Sequence, residues 1–323
     1  MHVKIGYLVL SCLTISLILT GVFSGHANFS IVATIDGLTR SGDNVIEAIV
    51  WDVRIPRVLL SLLAGGCLGL AGVLIQLSTR SPLGDPNLFG IGGGAAVFLS
   101  IVATGLVQLG SFGIFLGCVC FSIIVALVFS RLTSADNMSP IRIAIIGIAV
   151  GSLTIALGTS VVSHSRVFPT QVIGLVSGSF TSSNWVAIYY LLVTLSLCTL
   201  VAAFLSARFY PIMLGDILSR SLGVNPQKTR TYVMALAGAL AGASVYAGGL
   251  VGFVGLMSPH IARRIVGNSP LSLVLGSVWI GSVSTIFADQ LARLLFAPIE
   301  LPVGMVTTAL GSTVMMYLAL KIR

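Results

Sequence analysis

Long apolar runs separated by short polar turns dominate the chain. Most runs approach 20 residues, the length that an α-helix needs to cross roughly 30 Å of hydrocarbon. They are continuous rather than alternating with polar residues, which favours helices over a membrane-spanning barrel. The pattern predicts one all-α membrane domain over residues 1–323, a polytopic bundle of about ten transmembrane helices. The predicted segments are 5–23, 57–78, 88–107, 111–131, 141–162, 186–207, 231–249, 252–266, 271–294 and 302–320.

Composition agrees with this pattern. Hydrophobic residues make up 56% of the chain and charged residues 8%, and the mean hydropathy is +1.07. Soluble domains carry about 25% charged residues, so we expect an integral membrane protein. The first 27 residues resemble a cleavable signal peptide, because Lys4 precedes an apolar run. That run reaches Phe23 and is longer than the apolar region of a signal peptide, which has at most about 15 residues. We therefore expect a retained first helix.

The distribution of charge predicts the topology. The net charge of +8 does not indicate nucleic-acid binding, because the basic residues are scattered between apolar runs without interleaved aromatic residues. With the N-terminus in the cytoplasm, twelve Lys and Arg residues lie inside and five outside, as the positive-inside rule requires. Both termini are therefore predicted to be cytoplasmic. The five outside residues are Arg40, Arg54, Arg57, Arg166 and Arg293.

Two internal features concern helix packing. Leu63–Gly69 and Leu236–Gly242 both have the pattern Leu-Ala-Gly-x-x-x-Gly, and small residues at this spacing allow helix backbones to approach closely. Their predicted orientations are opposite, so an inverted repeat of segments two to five and seven to ten is one interpretation. Pro259 lies inside the eighth segment. It predicts a broken or kinked helix in which Ser258 or a neighbouring helix satisfies freed carbonyls.

Common catalytic and metal-binding motifs are missing from the sequence. No phosphate loop of the type G-x-x-x-x-G-K-[ST] occurs, so ATP hydrolysis is not expected of this chain. Gly90–Ala95 fits a dinucleotide pattern, but no strand precedes it and no acid follows at the right distance, which favours helix packing or a backbone-lined path. The four histidines lack ligand spacing and the five cysteines lie in or beside apolar runs, so neither a metal site nor a disulfide framework is expected.

Two polar features inside or beside apolar segments have two interpretations each. Asp289 and Arg293 are one helical turn apart and could pair, either as a structural anchor or as a functional intramembrane pair. Leu214–Pro226 is amphipathic, with Asp216 near its start and Gly223 as a left-handed stop. It predicts one compact helix within residues 214–224, either docking into a partner's groove or lying as a plain surface helix.

Five blocks of sequence, in family order, resemble the FecCD permeases, the membrane subunits of ABC importers for iron-siderophore complexes, haem and cobalamin. The family pattern of the second block has asparagine and alanine where this chain has Ser81 and Gly84. The matching blocks are Arg54-Ile-Pro-Arg57, Gln76 to Pro86, Gly90 to Ala95, Phe253 to Arg263, and Ala288 to Arg293 with Glu300 to Gly304.

The resemblance implies a type II ABC importer permease fold and a set of partners. Two permeases, identical or paralogous, would form the pathway between them, two cytoplasmic ATPases carrying ATP and Mg would drive it, and an external binding protein would deliver the cargo. No cofactor would be bound by this chain. Docking of the binding protein is assigned by resemblance to Arg54, Arg57 and Arg293. ATPase coupling is assigned to Gly215, Asp216, Leu218, Leu222 and Gly223. The pathway and inner gate are assigned to Gly92, Gly93, Ser134, Asn137, Ser139, Pro140 and Pro259.

The cargo and the energy source follow from the same resemblance. A ferric siderophore is the expected cargo, with haem or cobalamin as alternatives, and the bacterial cytoplasmic (inner) membrane is the expected location. A secondary transporter driven by an ion gradient would also contain broken helices and an intramembrane acid such as Asp289. A membrane enzyme is disfavoured because the sequence shows no cluster of acid, base and nucleophile.

Overall fold

The computed structural model describes residues 2–25, 29–41, 43–133, 139–163, 177–297 and 299–321. The described residues fold into helices joined by turns, with a π-helical turn at Ile49–Arg54. In chain order the helices are α1 His2–Phe23, α2 Ile31–Leu38, α3 Asn44–Ala48, α4 Ile55–Thr79, α5 Ile91–Ala103, α6 Ser111–Leu132, α7 Pro140–Ser163, α8 Trp185–Leu214, α9 Asp216–Ser221, α10 Pro226–Gly248, α11 Val254–Ile265, α12 Pro270–Leu294 and α13 Val303–Lys321.

Several helices begin at side chains that cap free backbone N–H groups. The Asn184 side chain accepts from Ala187 N at 2.7 Å at the start of α8, and Asn225 accepts from Lys228 N at 3.1 Å at the start of α10. Proline at the first helical position follows the cap of α10 and of α12. Because the first turn of a helix leaves its N–H groups without intrahelical acceptors, these residues fix where each helix starts.

Helix α4 forms the centre of the bundle. Its side chains are buried along nearly the whole length against α8, α10, α11 and α12. Gly69 is the point of closest approach to α12, because a Cβ atom there would overlap the carbonyl of Ser277. Gly72 makes a similar approach to Gly255 of α11. The small residues in α4 therefore serve backbone-to-backbone packing, as their spacing predicts.

Ten of the helices correspond to the ten predicted segments. Within the described ranges, α1, α4, α6, α7, α8, α10 and α12 are long and apolar enough to cross a bilayer. Helices α5 and α11 have only 13 and 12 residues. At about 1.5 Å per residue each of these two is close to 20 Å long, short of the roughly 30 Å required. The prediction that 88–107 and 252–266 are complete spans is therefore wrong.

Of the two distortions predicted at Pro259, a break or a kink, the break is wrong. Helix α11 continues through Pro259, and the hydroxyl of Ser258 donates to the carbonyl of Val254 at 2.6 Å. The interruption lies earlier, at 249–253, where Phe253 adopts a left-handed φ of 65°. Pro259 is the sixth residue of α11, so it removes one intrahelical hydrogen bond, the one to the carbonyl of Gly255, and the helix continues around it.

The segment between α1 and α4 contains structure that the apolar pattern does not predict. Helices α2 and α3 and the π-helical turn occupy it. Ser30 caps α2 by accepting from Ala33 N at 3.1 Å, and Asp43 caps α3 by accepting from Val45 N at 3.1 Å. Trp51 in the π-helical turn stacks on Trp185 at the start of α8, with ring centroids 6.3 Å apart. These contacts fix the segment beside the ends of α4 and α8.

Candidate functional site: charged clusters at the two ends of the bundle

A buried ion-pair cluster lies at the end of the bundle where α4 begins and α12 ends. The Arg57 guanidinium donates to Asp289 from Nε and Nη2 at 3.0 to 3.2 Å, and to Glu300 from Nη1 at 2.9 Å. Arg57 is 5% exposed and Asp289 1%. A buried charge is tolerated only when it is paired and hydrogen-bonded, and both conditions are met here. The cluster thereby ties α4 to α12 and to the turn before α13.

Arg293 and Arg54 complete this cluster. Arg293 Nε lies 3.5 Å from Asp289 Oδ2, as the i, i+4 spacing predicts. Among the described residues, Arg293 Nε and Nη2 make no hydrogen bond although the side chain is buried. Arg54 donates to the carbonyl of Val22 at 3.0 Å. The cluster thus contains three guanidinium groups and two carboxylates, which gives it a net positive charge.

The opposite end of the bundle carries α9, which matches the predicted compact helix within 214–224. Gly215, with φ of 114°, precedes it and Gly223, with φ of 78°, follows it. Both values are in the region that glycine adopts without strain. Leu218 and Leu222 are 52% and 59% exposed. The helix thus presents apolar side chains that no other described part of the chain covers.

Asp216 at the start of α9 is turned toward the bundle. It accepts from Arg230 Nη2 at 2.9 Å and from Nη1 at 3.2 Å, and it also pairs with Arg80 at the end of α4. Arg230 Nε donates to the carbonyl of Ser78 at 3.0 Å. We call Arg80, Asp216 and Arg230 the clasp. A cavity of about 370 Å³ lies beside it, between α9 and the ends of α4, α6 and α7.

A second cavity, of about 500 Å³, is lined by residues of α5, α7 and α13 and of the turns beside them, both small or polar ones and the apolar Ile155, Leu250 and Met305. Gly93 lines it, together with Asn87 and Thr308. Asn87 Nδ2 donates to the carbonyl of Val251 at 2.6 Å, which fixes the turn before α5 against the interruption before α11. None of the described residues that line it is charged.

Below Asn87, the Asp85 carboxylate organises the same turn. Its Oδ1 accepts from the backbone N–H groups of Asn87 and Leu88, both at 2.9 Å. Burial raises the pKa of the Asp85 carboxyl, and these two hydrogen bonds oppose the rise. The turn from Arg80 to Gly90 is therefore held by its own polar side chains.

The remaining predicted gate residues are dispersed. Gly92 packs against the Asn87 side chain and Leu250 rather than on the cavity wall. Ser139 is exposed just before α7, which begins at Pro140. Pro259 is buried inside α11. Ser134 and Asn137 lie outside the described residues. The roles predicted for these residues stay predictions.

The architecture is that of a helical membrane permease, and comparisons with known proteins give its class. A solved ABC transporter described as of the metal-chelate type, in an inward-facing conformation, superposes with a TM-score of 0.82 at 26% identity, covering 99% of both chains. PsaBC from Streptococcus pneumoniae, in complex with Fab, has a TM-score of 0.59 at 14% identity, covering 89% of this chain and 95% of that one, and shares the fold alone.

Sequence comparison gives the family. The family model described as the FecCD transport family matches residues 12–321, so the chain belongs to that family. It is 34% identical over 295 residues to the probable siderophore transport system permease protein YfhA of Bacillus subtilis, covering 88% of this chain and 84% of that one. The iron(3+)-hydroxamate import system permease FhuG of the same organism is 34% identical, with 85% and 84% covered. The vitamin B12 import system permease BtuC of Escherichia coli is 31% identical, with 97% and 95% covered.

These findings confirm the resemblance and the fold class. The chain is a permease subunit of an ABC importer, and it is a transport protein rather than an enzyme. Sequence reasoning did not find the clasp or the pairing of Arg57 with Asp289 and Glu300. The partners of Arg57 are 232 and 243 residues away in the chain, so no local spacing could indicate them. The lone acid Asp216 within a basic stretch was the one hint of the clasp.

Proposed function

We propose that this permease carries a ferric siderophore across the bacterial cytoplasmic membrane, delivered by an extracytoplasmic binding protein. The observation that carries the proposal is the similarity, at 34% identity each, to permeases named for siderophore and for iron(3+)-hydroxamate transport. The second cavity supports it, because its described lining carries no charged residue and a bulky chelate needs a wide and weakly binding path. The iron is cargo held by the chelate, so no residue of this chain needs to ligate it.

Vitamin B12 is the second candidate cargo, because BtuC matches a larger share of the chain than either Bacillus relative does. The two cargoes are distinguished by uptake into proteoliposomes that contain the complete complex and its binding protein. Radio-iron loaded on a ferric hydroxamate and radiolabelled cobalamin are supplied separately and in competition. We expect ATP-dependent uptake of the iron complex that excess cobalamin does not reduce. Uptake of cobalamin alone would replace the siderophore assignment.

Two ATPase subunits, in this proposal, bind the exposed face of α9, and a second permease completes the pathway. Exposed Ile217, Leu218 and Leu222 support this, because an apolar helix face of this kind is what a partner's groove accepts. Orthovanadate, which traps ABC ATPases, should then stop uptake, whereas a protonophore should not. The opposite result would favour transport driven by an ion gradient, the alternative in which Asp289 would carry the coupling ion.

For the binding protein, we assign docking to the positively charged cluster at the Arg57 end, which faces outward in the predicted topology. The three arginines are not equivalent. Arg57 is saturated by Asp289 and Glu300, whereas Arg293 has two N–H groups without a described acceptor. Arg293 is 5% exposed, so it would have to turn outward to meet an acidic side chain of the partner, with Arg54 at its side, while Arg57 would hold the two carboxylates in place.

This assignment makes separate predictions for the arginines. Arg293→Gln should weaken binding-protein association by roughly tenfold or more, because a charge-assisted contact is lost, while thermal stability changes little. Arg57→Gln should mainly lower the melting temperature, because Asp289 and Glu300 lose their hydrogen-bond donor. Affinity measured at low salt, together with the melting temperature of each variant, separates the two effects. Unchanged affinity in Arg293→Gln would refute the docking role of Arg293.

A further inference from the structure

Helix α9 is attached to the rest of the chain mainly through polar contacts. Ser219 is its buried side chain, and its hydroxyl donates to the carbonyls of Pro211 and Gly215 at 2.7 and 2.8 Å, which ties α9 back to the end of α8. Ile217 is 86% exposed. A cavity of about 370 Å³ separates α9 from α6 and α7, so α9 is connected to the bundle through its neighbours α8 and α10 and through the ion pairs of the clasp.

The clasp connects α9 to α4 and α10. Asp216 lies at the first residue of α9, Arg80 at the end of α4, and Arg230 in the first turns of α10. Arg230 also donates to the carbonyl of Ser78 in the last turn of α4. A single carboxylate therefore joins α9 to both helices. Arg80 adopts a left-handed φ of 53°, uncommon for a residue with a side chain, at the point where α4 gives way to the turn before α5.

The same turn continues directly into the second cavity. The chain runs from Arg80 through the turn held by Asp85 to Asn87, which lines that cavity. Displacement of Arg80 would therefore act on the turn 80–87, which contacts α9 through Arg80 and lines the second cavity through Asn87. Helices α4 and α10 also pack on each other, and Ser244 of α10 donates to the carbonyl of Ala64 of α4 at 3.4 Å.

We propose that the Arg80–Asp216–Arg230 clasp is the element that transmits movement of α9 to α4 and the pathway turn. Asp216 is a positioning residue that faces the permease, and it does not contact the ATPase. This inference rests on the proposed function, since it needs an ATPase bound to α9. Coupling of two sites requires an element whose arrangement both sites bias, and the clasp meets that description because it touches both the docking helix and the pathway turn.

The test places one reporter on each side of the clasp. Spin labels are attached in a cysteine-free background at Ser221, exposed at the end of α9, and at Leu83, exposed in the turn after Arg80. The complete complex with its ATPase is examined with and without ATP and vanadate. In the native complex both labels should respond. In Asp216→Asn the response at Ser221 should persist, and the response at Leu83 should fall roughly fivefold or more, the scale of typical coupling between sites.

Three variants control the experiment. Asp216→Glu should restore the response at Leu83. Lys228→Gln, which removes an exposed charge two residues from Arg230, should leave both responses unchanged. Arg80→Met combined with Asp216→Asn should be no worse than Asp216→Asn alone, because both changes break one connection.

The possible outcomes distinguish a failure of the clasp inference from a failure of the proposed function. If the ATPase no longer copurifies with the Asp216→Asn permease, the inference is overturned, because Asp216 would then be a docking residue. Unchanged responses at both labels in this variant would also overturn it. A native permease that retains no ATPase would refute the proposed function itself, and the inference with it.

Discussion

Removing the Arg57 side chain should destabilise the fold more than any other single loss of charge at this end of the bundle. In Arg57→Met, Asp289 stays 1% exposed and loses its bidentate partner, leaving only Arg293 Nε at 3.5 Å. Breaking one side of a buried ion pair typically costs about 3 to 5 kcal/mol, because the remaining charge is left uncompensated. We expect a loss of this size in the free energy of unfolding.

The chain offers a matched control. Arg40 pairs with Glu47 at 3.4 Å, but the two side chains are 64% and 30% exposed. Arg40→Met should therefore cost less than about 1 kcal/mol, the range of surface ion pairs. A second comparison removes the stranded charge: Arg57→Met with Asp289→Asn should be more stable than Arg57→Met alone.

The assay is reversible unfolding in mixed detergent micelles, followed by the fluorescence of the three tryptophans. Each variant is measured over the same range of denaturing detergent, and the double variant closes a cycle with its two single variants. If Arg57→Met proves no more costly than Arg40→Met, the buried cluster does not hold α4 against α12, and Arg57 would be available to a partner instead.

Other changes have equally definite outcomes. Gly69→Ala should destabilise by roughly 1 to 3 kcal/mol through overpacking against Ser277, whereas Gly158→Ala in α7, where the added Cβ meets no atom closer than 3.4 Å, should be nearly neutral in the same unfolding assay. Leu218→Glu should abolish ATPase copurification without altering thermal stability, and Ser221→Glu serves as its control for added charge. Asn225→Ala removes the cap of α10 and should lower stability by about 1 kcal/mol.

The apolar pattern predicts the helices well because hydrocarbon imposes one rule on every span. Each backbone group must be satisfied within its own segment, so a run of apolar residues of sufficient length has few alternatives to a helix. The rule fails for α5 and α11, which are enclosed by other helices and need not be long enough to span. Their apolar neighbours, such as Leu250 and Val251, belong to turns inside the protein.

The candidate site was less predictable, for a different physical reason. Gly215 and Gly223 predict the two ends of α9, because the positive φ that glycine allows depends on that residue alone and not on distant contacts. Ion pairs across the bundle depend on which helices become neighbours. From the sequence, Arg57 is predicted to be an outward-facing charge. In the structure, the packing of α4 against α12 places it in ion pairs with Asp289 and Glu300.

The central claim is that this chain is a conduit whose energy comes from separate ATPase subunits. Uptake of radio-iron on a ferric hydroxamate into proteoliposomes tests it most directly, with the chain reconstituted alone and as the complete complex. We expect accumulation against a gradient only in the complete complex with ATP. Accumulation against a gradient by the chain alone would contradict the account.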